Sequence, residues 1–235
     1  MQRQKEKKFL DVSVDCVVFG YDDNDNILKV LLIEQDRLDA GILPQKALPG
    51  DHVLNDEHLH AAANRVLFEL TGLDGLYLKQ FHTFGDPERV KYPKDQLWLH
   101  RIRKHPEARI ITVGYYSLVR MEDYLLEPSS FAENAEWIGI HEIPELAFDH
   151  NRIIERGLTE LRKDTESNHI SVQLLPKKFT LVQLQKLYEI ILEKELDKRN
   201  FRKSIKRSDE FVALDEKQKG VLHKPAQLYT FKRQK

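Results

Sequence analysis

Two glutamates and an arginine at regular spacing are the first residues that could do chemistry. Arg65 and Glu69 lie four residues apart, and Glu57 precedes them by two helical turns. Carboxylates that converge on one point can hold a hard cation such as Mg²⁺, which takes several oxygen ligands. The positions next to this pair, Val66 and Leu70, are apolar and extend a hydrophobic stripe. Since an arginine and a glutamate at i,i+4 also form a structural salt bridge, the sequence predicts a bridge here and no metal site.

A second set of candidate residues is basic and follows Thr180. Thr180 and Gln183 form a capping box for one helix, and Asp197 can cap a second helix. In the second helix Phe201 and Ile205 are spaced to face inward, which leaves the basic residues outside. Two short helices with a tight turn are typical of a helix-turn-helix, and the strands predicted after it would form a wing. The predicted DNA-binding residues are Thr180, Lys198, Arg199, Asn200, Arg202, Lys203, Lys206, Lys217 and Lys219.

The charge distribution favours DNA binding over the alternative that these residues only form a solvated face. The chain has 235 residues and a net charge of −1, yet residues 170–235 contain 16 basic and 8 acidic residues. The first 169 residues contain 21 basic and 30 acidic residues. Such a division predicts two domains with different tasks, of which the basic one can meet phosphate.

The composition also excludes several classes of protein. A single cysteine, Cys16, rules out an internal disulfide and a cysteine-based zinc site. Asp11 and Asp15 interrupt any apolar signal-peptide core, and no apolar run has the length of a membrane span. We therefore expect a cytoplasmic protein with no membrane partner and no cofactor.

The periodicity predicts an α+β fold. Strands are predicted around residues 12–19, 27–33, 76–84, 110–119 and 137–140, with helices at 57–71 and 151–162 and a polar loop between the third and fourth strands. The predicted organisation is an α+β domain at residues 1–149, followed by a linker helix and winged helix at residues 150–235.

The stretch from Leu48 to Leu73 resembles the Nudix hydrolase signature. Gly72-Leu73 closes the motif, and Glu57, Arg65 and Glu69 match it by spacing after the lead-in Leu48-Pro49-Gly50. In the family, further acids of the signature hold a metal ion, and this chain has Val66 and Leu70 at their positions. The resemblance therefore implies a Nudix fold, which is an α/β/α sandwich with a mixed sheet, without catalytic residues.

Further segments resemble one branch of that family, the Nudix-related transcriptional regulators. They are residues 83–89 (Thr-Phe-Gly-Asp-Pro-Glu-Arg), 113–119, 147–150 and 174–202. The resemblance implies a homodimer that binds a palindromic operator and a small effector, which is ADP-ribose in the family at large and arabinose in a second branch. We favour a sugar or sugar derivative, because the signature is altered and residues 90–105 depart from the family. The predicted effector-binding residues are Gln35, Arg37, Lys46, Glu69, Asp86 and Arg89.

Two alternatives remain open at this point. The chain could be a divergent Mg²⁺-dependent Nudix hydrolase of a nucleoside diphosphate derivative, whose basic half holds nucleic acid. It could also be a ligand-gated protein that binds a protein partner and never DNA. For Arg89 itself, effector binding and a solvated loop position are equally open.

Overall fold

The computed structural model describes residues 10–22, 24–35, 45–102, 105, 108–127, 132–220 and 224–232. The strands are β1 (Leu10–Asp22), β2 (Ile27–Gln35), β3 (Lys46–Ala47), β4 (Gly50–His52), β5 (Lys79–Phe84), β6 (Arg109–Arg120), β7 (Ala132–Gly139), β8 (Phe179–Thr180), β9 (Phe211–Lys217) and β10 (Gln227–Phe231). The helices are α1 (Leu59–Thr71), α2 (Pro93–Ile102), α3 (His150–Asn168), α4 (Leu181–Leu192) and α5 (Lys198–Arg207), with 3-10 helices at Met121–Asp123 and Ile170–Leu174. Within these ranges, no helix is both long enough and apolar enough to cross a membrane.

Strand β1 is the centre of a seven-stranded mixed sheet. It pairs in parallel with β6 and antiparallel with β2 and β4. The order across the sheet is β3-β2-β1-β6-β5, with β7 on β2 and β4 on β1. The predicted mixed sheet is confirmed.

Alternate side chains of β1 enter two separate hydrophobic clusters, one on each face of the sheet. Cys16 and Val18 pack with α1, whose buried residues include Ala63, Val66 and Leu67. Gly72 then ends α1 in the left-handed region, at φ 78°, where a side chain would be strained. Val66 therefore belongs to the core, as its apolar character predicts.

The opposite face of the sheet is covered by α3 and by the winged-helix half of the chain. Val17 and Phe19 share one cluster with Ile153 of α3 and with Leu184 of α4. Helix α3 approaches closely at Gly157, where a Cβ atom would lie 3.4 Å from a methyl group of Val17. Helix α4 also contacts β2, and the second 3-10 helix contacts β6. The two halves therefore share one continuous core.

The winged helix is built as its sequence predicts. Thr180 accepts a hydrogen bond from the Gln183 amide and Gln183 caps in return, so the capping box is present. Asp197 accepts a hydrogen bond from the Asn200 amide at the start of α5. The small sheet has the order β8-β10-β9, and β9 and β10 form the antiparallel hairpin of the wing.

Several boundaries differ from the sequence prediction. The loop expected between the third and fourth strands contains α2, because Val90 and Leu99 are buried against Ile110. The strand expected at 76–84 begins at Lys79, and the strand expected at 137–140 begins at Ala132. The helix expected to end at 162 continues to Asn168. A domain boundary at 149/150 stays a prediction, since α3 starts at His150 but packs on both halves.

The shared core leads to a stability prediction. Leu184→Ala should lower the free energy of unfolding by about 2–5 kcal/mol, because it opens a cavity between the two halves. Val182 lies on the same helix but is 56% exposed, so Val182→Ala should change this free energy by less than about 0.5 kcal/mol. Urea denaturation followed by circular dichroism measures both variants. A loss for Leu184→Ala no larger than that of its control would contradict the packing described above.

Candidate functional site

Arg65 joins the carboxylates that match the Nudix signature. Its Nη2 donates to Glu57 Oε1 at 2.7 Å and its Nη1 donates to Glu69 Oε2 at 3.0 Å. Nη2 also donates to the His52 carbonyl at 2.8 Å. The hydrogen bond from Arg65 holds the pKa of Glu57 below its usual range. A cation at this point would have to compete with the guanidinium for both glutamates.

Buried apolar side chains occupy the positions where the Nudix signature has further acids. Val66 and Leu70 are fully buried beneath the sheet. Among the described residues, no group of three His, Cys, Asp or Glu side chains is arranged to hold a metal ion. The salt bridge predicted between Arg65 and Glu69 is present, and a structural role accounts for all three polar side chains.

A buried polar cluster lies on the other side of β1. Arg89 donates to both carboxylate oxygens of Asp149, at 2.7 and 3.2 Å, and its Nη2 lies 3.5 Å from Asp15 Oδ2. His150 Nε2 lies 3.4 Å from Asp15 Oδ1. The side chain of Arg89 is only 3% exposed, so the solvated-loop interpretation of this arginine is wrong. Asp15, Arg89, Asp149 and His150 are called the pocket cluster below.

Both oxygens of the buried Asp15 carboxylate have partners, since Arg89 lies near Oδ2 and His150 Nε2 lies near Oδ1. The Leu48 amide donates to His150 Nδ1 at 2.9 Å, so Nδ1 is an acceptor and the proton that faces Asp15 is on Nε2. Burial raises the pKa of Asp15, but His150 and Arg89 outweigh it and hold the pKa at about 2. Asp15 is therefore ionised at neutral pH.

Three residues of the pocket cluster, Asp15, Arg89 and His150, line a small cavity of about 40 Å³. The remaining walls are mainly apolar and come from β2, β6, α2 and the segments next to them, through Ile33, Ala47, Leu48, Val90, Leu99, Ile110 and Phe148. Gly50 also lines the cavity, and a Cβ atom there would collide with the carboxylate of Asp15. Apolar walls with a few convergent polar groups are typical of a small-molecule site.

Of the six predicted effector-binding residues, Arg89 is the one that the structure places among the cavity-lining residues. Lys46 pairs with Glu136, and Glu69 is held by Arg65 on the far side of the sheet. Asp86 accepts a hydrogen bond from the Glu88 amide in an exposed turn. Gln35 lies at the end of β2, where it pairs with Ala132, and Arg37 lies outside the described residues.

Sequence reasoning missed three members of the pocket cluster. Asp15 stands inside an otherwise apolar strand, which was a usable sign of a functional carboxylate. Asp149 and His150 lie where the resemblance places the interdomain segment, but their contact with Arg89 and Asp15 depends on the tertiary fold.

The outer face of α5 carries most of the predicted DNA-binding residues. Five of them are exposed: Lys198, Arg199, Asn200, Lys203 and Lys206. Phe201 and Ile205 are buried, and with about 3.6 residues per turn Arg199 and Lys203 point to the opposite side. Arg207, which the sequence analysis did not select, continues that side and is exposed.

The remaining basic candidates differ in exposure. Lys217 and Lys219 are exposed at the end of β9, in the wing. Arg202 is half-buried, and its Nε makes no hydrogen bond within the described residues. Thr180 is 4% exposed and its hydroxyl is engaged in the capping box. We therefore leave Thr180 out of the proposed DNA-binding surface and keep the others, with Arg207 added.

Comparison with known proteins agrees with this architecture. Residues 10–157 match the family model of the NUDIX domain, and residues 171–231 match that of the NrtR DNA-binding winged helix domain. The "ADPR responsive transcriptional repressor NtrR" of Acinetobacter baylyi is 32% identical over 227 residues, which cover 94% of this chain and 81% of that protein.

Two solved structures of Shewanella oneidensis NrtR are similar to this chain at 25% identity. The complex with a 27mer DNA has a TM-score of 0.68 and covers 94% of this chain and 93% of that one. The NUDIX domain complexed with ADP ribose has a TM-score of 0.51 and covers 68% of this chain and 94% of that one. From both domain matches and the Acinetobacter relative, we conclude that the chain belongs to the NrtR family, in which a NUDIX domain is joined to a DNA-binding winged helix domain.

Proposed function

We propose that this chain is a DNA-binding transcriptional repressor whose Nudix domain binds a small effector and thereby changes its affinity for an operator. The observation that carries the proposal is the exposed basic side of α5, which stands outward on a winged helix. Its support is the family membership and the relatives whose names describe a repressor and a DNA complex. The protein would act in the cytoplasm as a homodimer.

In this proposal, two copies of α5 enter successive major grooves of a palindromic operator. Arg199, Asn200 and Lys203 lie near the start of α5, from which a recognition helix contacts base edges. Lys217 and Lys219 of the wing would bind phosphate and so contribute affinity without sequence preference.

ADP-ribose is the first effector candidate, since relatives are named for their response to it or hold it in a solved structure. Its ribose hydroxyls can donate to Asp15 in the cavity. The carboxylate of Asp15, however, disfavours a diphosphate beside it. The diphosphate would therefore lie outside the cavity, where an exposed cation such as Arg152, which is 67% exposed and 3.8 Å from Asp86, would meet it.

A free sugar such as arabinose is the second candidate, and the buried carboxylate of Asp15 favours it. A buried carboxylate accepts hydrogen bonds from sugar hydroxyls, and an uncharged sugar meets no charge repulsion there. The apolar walls suit the ring faces of a sugar. No relative described above is named for a sugar, so this candidate depends on the pocket chemistry alone.

We also propose that the Nudix domain binds its ligand without hydrolysing it. The support is that Arg65 occupies both Glu57 and Glu69, while Val66 and Leu70 fill the positions of further acids. Magnesium-dependent release of AMP from ADP-ribose, abolished by Glu69→Gln, would instead support the divergent hydrolase.

The DNA-binding proposal predicts a change in salt dependence. Lys203→Ala should weaken binding to a mixed-sequence duplex and reduce the slope of log K against log salt by about 1, because one phosphate contact is lost. The matched control is Lys91→Ala, which removes a lysine that is 59% exposed on the Nudix domain. Fluorescence anisotropy over a salt series measures both. An unchanged slope for Lys203→Ala would remove this lysine from the DNA surface, and no binding by any form would contradict the proposal.

The effector candidates can be separated by thermal denaturation. An effector present at about 100 times its Kd stabilises the folded state by about 2.7 kcal/mol and raises Tm. We expect ADP-ribose or arabinose to do so in the unmodified protein, and Asp15→Asn to abolish the rise. Asp86→Asn changes an exposed carboxylate outside the cavity lining, and it should retain the rise in Tm for an uncharged sugar. If Asp15→Asn binds as the unmodified protein does, the cavity is not the effector site.

A further inference from the structure

Arg162 reaches from α3 to the end of α4. Its Nε donates to the Ile191 carbonyl at 2.8 Å. Its Nη2 lies 2.6 Å from Glu193 Oε2, a close ion pair whose geometry is not that of an aligned hydrogen bond. The last carbonyl groups of a helix lack partners within it, so a cation here both satisfies an acceptor and favours the helix dipole. Arg162 thus fixes the point where α4 ends.

The turn that Arg162 holds sets the start of α5. Glu193 is a left-handed residue with φ 51°, in the position where glycine is usual. A non-glycine residue is held there by its surroundings, because the conformation is unfavourable by itself. Lys194 pairs with Glu166 of α3 at 2.6 Å, and four residues after Glu193 the cap Asp197 begins α5. Contacts from α3 therefore determine where the recognition helix points.

The other end of α3 forms part of the effector cavity. His150, the first residue of α3, lines the cavity, and Asp149, its N-cap position, binds Arg89, which also lines it. At 1.5 Å per residue, Arg162 lies about 18 Å along the same helix. Two residues beyond Arg162, α3 is fastened to the Nudix sheet by Asp164, which bonds to Tyr116 and Lys79. One rigid element thus touches both candidate sites.

We infer that Arg162 is a positioning residue for the recognition helix, and that α3 transmits changes at the pocket cluster to it. The inference rests on the proposed DNA-binding function. A cavity ligand that draws Arg89 away from Asp149 changes the partners of the first turn of α3. Because α3 is one continuous helix in a close-packed core, a small shift at its start displaces Arg162 and with it the turn before α5. Neither residue needs to touch DNA.

A double-mutant cycle on DNA affinity tests this inference without knowledge of the effector. Asp149→Asn changes the start of α3 beside the cavity, and Arg162→Ala removes the contact with the end of α4. The affinity of each full-length variant for one duplex is measured by fluorescence anisotropy. Each change should weaken or strengthen binding by about threefold to tenfold. In the Arg162→Ala protein the effect of Asp149→Asn should disappear, although sites this far apart are normally additive. The salt slope should stay unchanged, since Arg162 contacts no phosphate.

Matched variants separate positioning from general loss of structure. Arg156→Ala removes another arginine of α3, one that pairs within the helix with Glu160 at 3.3 Å, and should leave affinity unchanged. Arg162→Lys keeps a cation at the end of α4 and should retain part of the DNA affinity that Arg162→Ala loses. Amide hydrogen exchange at residues 193–197 should accelerate in Arg162→Ala while β1 and β6 stay protected.

The possible failures are distinguishable. Additive effects of Asp149→Asn and Arg162→Ala, or an affinity that Arg162→Ala does not change, would overturn the inference and leave DNA binding intact. Absence of DNA binding by the unmodified protein would overturn the proposed function, and the inference with it.

Discussion

The structure depends on covering both faces of one sheet. Alternate residues of β1 are buried on each side, and α1 covers only one of them. The other face is covered by α3 together with α4 of the winged helix. Separating the halves would expose Val17, Phe19 and Leu184 to water, at about 25 cal/mol for each Å² of apolar surface. The winged-helix half is therefore part of the core of the Nudix half.

Burial also explains how the pocket cluster persists. A buried unpaired carboxylate is unfavourable, but Asp15 and Asp149 share one guanidinium, and His150 donates a further hydrogen bond. The same arrangement places the side chains of Asp15, Arg89 and His150 at the wall of the cavity. Glu57 and Glu69, the glutamates of the Nudix signature, lie across the sheet from this cluster and pair with Arg65. The two polar clusters therefore share no residue.

The sequence was most informative where the interactions are local. The capping box at Thr180, the cap at Asp197 and the inward pair Phe201 and Ile205 all arise within a few residues, and each was predicted correctly. The bridge between Arg65 and Glu69 is likewise one helical turn long. Together with the motif resemblance, these signals were enough to predict the mixed sheet and the winged helix.

The candidate site was harder to predict, because its contacts join distant positions. Arg89 meets Asp149 and Asp15, which lie 60 and 74 residues away, and no local pattern marks these partners. Helix α2 was missed because charged and polar residues interrupt its short apolar pattern, whereas the burial of Leu99 against Val90 and Ile110 depends on the tertiary fold. The contact between Arg162 and the end of α4 depends on the angle between α3 and α4, which periodicity does not specify.

The measurement that tests the central claim most directly is capture of sheared genomic DNA by the purified protein, followed by sequencing. Our account predicts enrichment of fragments that share a palindrome, because a symmetric pair of α5 helices reads two equal half-sites. It also predicts that ADP-ribose or arabinose changes the yield of those fragments. No enrichment at moderate salt, with either compound or without them, would contradict a repressor whose pocket and recognition helix belong to one core.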